Sequence, residues 1–243
     1  MRQTERTAIV LRYANYRDND RMLTLFSPTQ GRIEALARGC RKPRSPILNA
    51  SELFALGDFE LYQKGAHLTV TNAALIETFY PLRSDFDRLA VGTYLLNVTE
   101  NLIQPGVPAQ ELFMLLLHTL SRLTFTTQPW RPLVAGFLLH LCACEGFKPR
   151  LHHCVHCQRR LDEGESTWFD QMAGGLVCRD CRLQSYPAVS AAQARWMRHM
   201  LTQGSAAWVD SPEMIAPFRL LRGYVESRLD KPVRAAAMLP EEG

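Results

Sequence analysis

The first eighty residues alternate between apolar and polar positions with a period of two, which is typical of half-buried β-strands. The alternation predicts five short strands, and Pro28-Thr-Gln-Gly31 supplies a turn between the second and the third. Five strands with one long connection (39–50) favour a small closed barrel. An OB-fold is the leading candidate, although strand spacing alone does not separate it from an SH3-like barrel. The predicted strands are Arg6–Ala14, Arg21–Phe26, Gly31–Arg38, Ser51–Tyr62 and Leu68–Phe79.

From Pro81 the apolar positions recur every three to four residues, as they do along α-helices. Ser84-Asp-Phe-Asp87 resembles a capping box and places the first helix cap at Ser84. The chain end from Lys231 is predicted to fray. The predicted helices run from Ser84 to about Ile103, from Pro108 to about Leu123, from Arg131 to Glu145, from Ser190 to about Leu201 and from Ser211 to about Leu229. We therefore expect an α+β multidomain protein, with an OB-fold β-barrel (1–80) followed by an α-helical domain (81–243).

Two pairs of cysteines interrupt the helical part. Cys154 and Cys157 form one CxxC turn, Cys178 and Cys181 form another, and twenty residues separate them. This spacing predicts one tetrahedral zinc site with four thiolate ligands in an inserted zinc ribbon (about 150–184), whose strands are Ser166–Asp170 and Leu176–Val177. Such a site leaves no position for a reacting water, so the Zn²⁺ is expected to be structural. Disulfides or a redox dithiol are the alternatives.

Other titratable residues near these cysteines have two interpretations each. Five arginines crowd the ribbon, and they either neutralise the thiolates or contact phosphate; these are Arg150, Arg159, Arg160, Arg179 and Arg182. His152, His153 and His156 are spare ligands or, more simply, exposed loop residues. His140 and Cys144 share a helix face and fit a core pair better than a metal site, and Asp18 and Asp20 fit turn residues better than a Mg²⁺ site.

The connection after the third strand is basic. It carries Arg38, Arg41, Lys42 and Arg44 without an acid among them, and its prolines favour an extended loop without regular secondary structure. Such a loop can follow a phosphate backbone, although a charged loop that is merely solvated is the alternative. Further basic residues could extend this surface, and aromatic residues could stack on bases, although most aromatic residues of a small barrel belong to its core. These residues are Arg12, Arg17, Arg21, Arg32, Tyr13, Tyr16, Phe26, Phe54, Phe59 and Tyr62.

Composition narrows the class of protein. The chain has 243 residues, of which 47% are hydrophobic, and a formal charge of +4. Residues 1–80 hold eleven basic against eight acidic residues, so +3 of this charge lies on the predicted barrel. A mildly basic chain permits a nucleic-acid partner. The first residues lack an apolar signal core, and the apolar run Leu133–Cys144 is too short to span a bilayer, so we expect a cytoplasmic, nucleoid-associated protein without a membrane partner.

The sequence also lacks the common signatures of catalysis. It contains no GxGxxG, P-loop, GxSxG or HExxH motif. A passive binding or annealing scaffold, rather than an enzyme, is the expected class.

The run TAIVLRYANYRDNDRMLTLFSPTQGRIEALARG, the basic loop behind it and the later CxxC pairs resemble the RecO family of DNA repair proteins over essentially the whole chain. The resemblance implies a recombination mediator without nuclease or ATPase activity that binds single- and double-stranded DNA and anneals complementary strands. It implies action with RecR to load RecA onto DNA covered by single-strand-binding protein (SSB), and binding of the SSB C-terminal tail. Some members of this family lack the cysteines, so the resemblance implies that zinc aids the structure only. Two other classes stay open from the residues themselves: a zinc-ribbon adaptor between proteins and an RNA-binding OB protein.

Overall fold

The computed structural model describes residues 2–127, 129–202 and 217–240. The chain divides into two compact units, Met1–Leu116 with Arg234–Gly243, and Leu117–Val233. The first unit holds a closed five-stranded barrel and the second holds helices and a small three-stranded sheet. The expected α+β multidomain class is confirmed, whereas the domain boundary at residue 80 stays a prediction.

The barrel has the strand order of an OB-fold. Its strands run β1-β2-β3-β5-β4 around the barrel, β4 closes onto β1, and β3 pairs in parallel with β5 over Ala35–Ala37. The expected OB-like barrel is therefore confirmed. The strands are β1 (Arg2–Tyr16), β2 (Asp20–Ser27), β3 (Gly31–Ala37), β4 (Leu56–Lys64) and β5 (His67–Glu77).

The barrel interior is filled by the side chains at every second position of the strands, which point inward. Ala8, Val10, Leu23 and Phe59 are fully buried in one continuous apolar cluster with residues from every strand. Burying such side chains stabilises the fold by about 1.5–3 kcal/mol each before chain entropy is counted. This barrel therefore has a core of its own.

Helices cover part of the barrel within the first unit. Helix α1 (Phe86–Leu102) packs against β1, and the start of α2 (Gln110–Phe125) places Phe113 edge-on to Phe26 with the ring centroids 5.2 Å apart. The first helix is capped by Asp85, whose carboxylate accepts a 3.0 Å hydrogen bond from the Arg88 amide. The predicted Ser84 cap is wrong because Tyr80–Ser84 forms a 3₁₀ turn, which makes Asp85 the first extended residue.

The end of the described chain also differs from expectation. Arg234–Met238 forms a short 3₁₀ helix against α1, Ala235 is buried, and its amide donates to Asn97 Oδ1 at 3.3 Å. The predicted fraying from Lys231 is wrong for this segment, because a tertiary contact holds it. The sequence pattern of an isolated tail does not reveal such a contact.

The second unit contains α3 (Trp130–Cys144), α4 (Ala191–Thr202) and α5 (Phe218–Glu226). The opening of α4 has a reciprocal cap: Ser190 Oγ accepts from the Gln193 amide at 3.2 Å, and Gln193 Oε1 accepts from the Ser190 amide at 3.0 Å. The predicted start of the fifth helix at Ser211 lies outside the described residues. Among the described residues no helix is both long and apolar enough to cross a membrane.

Candidate nucleic-acid interface and metal centre

The basic loop (38–46) is anchored to the barrel at both ends. Cys40 and Ile47 are buried in the barrel cluster, and Ser51 Oγ donates to the Ile47 carbonyl at 2.7 Å. Between these anchors the backbone folds into successive turns, with hydrogen bonds from Lys42 to Gly39 and from Ser45 to Lys42. The predicted extended path is therefore wrong, because local turn hydrogen bonds coil the loop.

The loop also rests on the β1–β2 turn. The Gly39 amide donates to Asp20 Oδ1 at 2.7 Å, the Arg41 amide donates to the Asn19 carbonyl at 3.1 Å, and Arg41 Nη1 donates to the Asp18 carbonyl at 3.1 Å. The Asp20 carboxylate thus holds the loop in place, which explains this acid without a Mg²⁺ ion. The predicted interpretation of Asp18 and Asp20 as turn residues fits these contacts.

All four basic side chains of the loop point to solvent. Arg38, Arg41, Lys42 and Arg44 are exposed, and none of them forms an ion pair with a described residue. Their charges are therefore available to an external anion. Whether DNA uses them stays a prediction.

The turn adds an aromatic side chain beside these charges. Tyr16 is 43% exposed, and the Arg17 guanidinium lies 5.2 Å from its ring centroid. An exposed tyrosine beside a basic side chain offers a flat surface on which an unpaired base could stack. The sequence pattern placed Tyr16 and Arg17 only within a longer set of candidates, because the contacts that bring this turn to the loop join residues 19 to 23 positions apart.

Most of the other barrel candidates are paired or buried within the fold. Arg12 Nε lies 2.8 Å from Glu100, and Arg21 Nη1 lies 2.6 Å from Glu52, so both charges are paired. Arg32 is half-buried away from the loop. Among the aromatic residues Phe26, Phe54 and Phe59 are fully buried, as expected for core residues of a small barrel.

The four ribbon cysteines converge. The Sγ atoms of Cys154, Cys157, Cys178 and Cys181 all lie within 4.8 Å of one another. The Sγ atoms of Cys157 and Cys178 are 3.7 Å apart. A tetrahedral site with Zn–S bonds of about 2.3 Å places sulfurs about 3.8 Å apart, so the four thiols fit one metal ion. This is the one cluster of metal-ligating groups in the described part of the chain.

The ionisation of the clustered thiols favours a bound cation. Burial opposes ionisation of Cys154, but hydrogen bonds from the backbone amides of Cys178, Cys157 and His156 lower its pKa to about 6. The side chains of Cys178 and Cys157 raise the pKa of Cys181 to about 12. Thiolates this close repel one another unless a metal neutralises them.

The ribbon itself is a three-stranded sheet. It consists of β6 (Thr167–Asp170), β7 (Gly175–Val177) and β8 (Ala188–Val189), in the order β7-β6-β8. The first two strands match the prediction, whereas β8 was missed because a two-residue strand has no detectable alternation.

The Asp170 carboxylate stabilises the turn between β6 and β7 through hydrogen bonds. Asp170 is buried and accepts bonds from the amides of Met172 and Ala173, from Tyr186 at 2.7 Å and from His156 Nε2 at 3.0 Å. These bonds outweigh the opposing effect of burial and hold the Asp170 pKa below its ordinary value. His152, His153 and His156 are all exposed, as expected, and His156 in addition hydrogen-bonds to Asp170.

The ribbon also packs against α5. The Phe169 and Phe147 rings lie edge-on to Tyr224, which is buried and donates to the Phe147 carbonyl at 2.7 Å. Arg228 donates to the carbonyls of Gln171 and Met172. Contacts with Tyr224 and Arg228 thus hold the ribbon within the second unit, in addition to its cysteine cluster.

OB barrels commonly bind oligonucleotides or oligosaccharides, and an exposed basic loop is compatible with a nucleic-acid partner. Comparison with known proteins specifies the class. Residues 1–79 match the family model "Recombination protein O N terminal", and residues 83–237 match "Recombination protein O C terminal".

Two individual relatives support the same family assignment. The chain is 35% identical over 193 residues to the DNA repair protein RecO of Desulfitobacterium hafniense, covering 78% of this chain and 67% of that one. It is 34% identical over 175 residues to the DNA repair protein RecO of Moorella thermoacetica, covering 72% and 64%. The chain belongs to the RecO family of DNA repair proteins.

Proposed function

We propose that this protein is a recombination mediator that anneals complementary DNA strands without catalysing a reaction. In this proposal it acts with RecR at the nucleoid to help load RecA onto single-stranded DNA covered by SSB, and it binds the SSB C-terminal tail. The observation that carries the proposal is the basic loop of the barrel, whose four cationic side chains are exposed and form no ion pair with a described residue. Family membership adds the context of DNA repair.

The geometry supports annealing for a physical reason. Contacts from Arg38, Arg41, Lys42 and Arg44 to phosphates would hold both single- and double-stranded DNA independently of base sequence. Bases that the protein does not contact remain free to pair with a second strand. Tyr16 would stack on an occasional base without selecting it.

The proposed metal of the ribbon is Zn²⁺. A donor set of four thiolates selects a soft or borderline ion, and a closed tetrahedral site suits a structural role. When bound, the ion would supply folding free energy and no reaction chemistry. Arg159, which donates to Glu165 at 2.8 Å and lies beside Cys178, would offset part of the negative charge.

The test measures annealing of complementary strands coated with SSB, without nucleotide, over a series of salt concentrations. We expect the protein to accelerate annealing and the acceleration to decline as salt rises, because counterion release drives phosphate binding. A folded, metal-loaded protein that fails to accelerate annealing would contradict the proposal and favour a protein-binding adaptor. Tighter binding to RNA than to DNA of the same sequence would favour an RNA-binding OB protein.

The loop itself is tested by Arg41→Ala combined with Lys42→Ala. We expect weaker DNA binding and a salt dependence that is flatter by about one unit of slope for each lost phosphate contact. Lys64→Ala removes an exposed lysine from the end of β4 and serves as the control. An unchanged slope in the double variant would show that the loop does not bind DNA.

A further inference from the structure

A second charged feature of the barrel lies apart from the basic loop. A cavity of about 510 Å³ opens beside Arg32 and Ile33, at the start of β3, whereas the basic loop follows the other end of the same strand. Sites for small ligands range from about 300 to 1,000 Å³. The cavity is thus large enough for a compact ligand.

The outer wall of the cavity is fixed by backbone hydrogen bonds. Pro105 and Gly106, in the connection between α1 and α2, form this wall. The Gly106 amide donates to the Gln30 carbonyl at 2.9 Å, and the Arg32 amide donates to the Gln104 carbonyl at 3.2 Å. Gly31 has φ +59°, and a Cβ there would lie 2.2 Å from the Gln104 oxygen, so only glycine allows this close approach.

The inner wall contains an arginine at an inward-facing barrel position. Ala8 and Val10 belong to the barrel core, so the alternation of β1 turns Arg6 to the same side, at the open end of the barrel. Leu61 and Leu68 supply an apolar floor beside it. A charged residue thus stands where the strand pattern calls for an apolar one.

The two arginines of the cavity are not neutralised. Neither Arg6 nor Arg32 forms an ion pair with a described residue; Arg6 donates to the Glu5 carbonyl at 2.7 Å, and the buried Arg32 Nε has no acceptor. Glu34 is the one acid that lines the cavity, and both its carboxylate oxygens accept from Thr24 at 3.1 Å. A partly desolvated guanidinium without a partner costs free energy, which a bound anion would offset.

The chemistry of the walls indicates the ligand. Guanidinium groups form bidentate hydrogen bonds with phosphate. The amides of Gln30 and Gln63 offer donors and acceptors for a base edge, and the leucines offer an apolar surface for the flat faces of a sugar and a base. We propose that this cavity binds one nucleoside 5′-monophosphate unit, with Arg6 and Arg32 on the phosphate, and that it does so independently of the basic loop. The unit comes either from a free nucleotide or from the 5′ end of a DNA strand.

The first test uses thymidine 5′-monophosphate and thymidine as probes of the full-length protein, measured by calorimetry. We expect the nucleotide to bind and thymidine to bind at least about tenfold more weakly, because the charged hydrogen bonds are lost. Arg6→Gln with Arg32→Gln should abolish this preference for the nucleotide. Arg41→Gln with Lys42→Gln is the matched control, since it removes two cations from the basic loop and should leave nucleotide binding unchanged.

A second measurement does not depend on the variants folding. Amide chemical shifts of the unmodified protein should change at Gly106 and Ala66 on addition of the nucleotide, while those of Arg41 and Lys42 stay constant. Shifts at the basic loop alone would overturn the proposal.

The two sources are separated with a single strand that carries either a 5′-phosphate or a 5′-hydroxyl. Tighter binding of the phosphorylated strand, lost in the Arg6/Arg32 variant, identifies the strand end as the ligand. Nucleotide binding without any effect of strand phosphorylation identifies a free nucleotide. Absence of both overturns the proposal, and intact strand annealing in that case leaves the function proposed for the basic loop standing.

Discussion

The barrel and the ribbon are both small sheets of mostly antiparallel strands, but they are stabilised in different ways. The barrel closes on itself and buries a continuous apolar cluster that includes Leu23 and Phe59. The ribbon has three strands of four, three and two residues, and four cysteine thiols outside these strands converge within 4.8 Å of one another. A sheet too small to enclose a core needs other sources of stability, which here are packing against α5 and a cluster of four cysteines that fits a metal ion.

Removing the metal site should have the largest effect on this comparison. We expect Cys178→Ser, or treatment with a chelator, to unfold the ribbon, since metal binding to such sites contributes on the order of 10 kcal/mol at neutral pH. Hydrogen exchange should then lose protection at β6 and β7 and keep it in β1 and β4. Cys144→Ser, outside the cluster, is the control; equal loss of protection in the barrel would contradict separate stabilisation.

Apolar truncations should give the next largest effects. Leu23→Ala is expected to cost about 2–5 kcal/mol and Phe169→Ala about 3–5 kcal/mol, because each leaves a cavity among fully buried neighbours. The effects of the two variants should differ in location. Leu23→Ala should weaken the protection of the barrel strands from hydrogen exchange, and Phe169→Ala should weaken that of the ribbon strands. Chemical denaturation together with hydrogen exchange measures both. A ribbon unchanged by Phe169→Ala would show that the metal alone holds it.

Losing the single hydroxyl of Tyr224 should have a smaller effect. Tyr224→Phe keeps the ring contacts with Phe169 and removes the hydrogen bond to the Phe147 carbonyl. We expect a loss of about 1–3 kcal/mol in the free energy of unfolding, since the carbonyl is left unsatisfied. Tyr186→Phe, which removes the hydroxyl that donates to Asp170, provides a comparison by the same denaturation measurement.

The pH dependence of the Asp170 contribution should be the smallest effect. Its pKa is lower folded than unfolded, so its stabilisation is present above the unfolded carboxyl pKa of about 4 and is lost as pH falls through the folded pKa. The stability difference between the unmodified protein and Asp170→Asn should therefore be constant from neutral pH to about pH 5 and shrink at lower pH. A difference that grows on acidification would contradict this sign.

Much of the barrel could be predicted because its signals are local. Alternation identified the strands, and the buried phenylalanines followed from it. The strand order could not be predicted, since the parallel pairing of Ala35–Ala37 with β5 joins residues distant in sequence. The Ser84 cap failed for a related reason: a 3₁₀ turn, rather than the local cap signal, fixed the first helical residue.

The cysteine cluster and the cavity also differ in how far the sequence predicts them. Ligand spacing alone identified the metal site, because a CxxC turn aims two sulfurs at one point. The cavity beside Arg6 and Arg32 had no signal, since its wall comes from the connection between α1 and α2.

Periodicity, spacing and composition act over a few residues, so they were sufficient to predict the succession of barrel, helices and ribbon, the cluster of four cysteines and the charge of the basic loop. The contact of Asp20 with the basic loop, the ion pair of Arg21 with Glu52, the lack of an ion pair between Arg32 and any described residue, and the support of the ribbon by Tyr224 were visible only in the folded protein. Hydrogen bonds, ion pairs and ring contacts of this kind form between residues that meet only after the chain has folded.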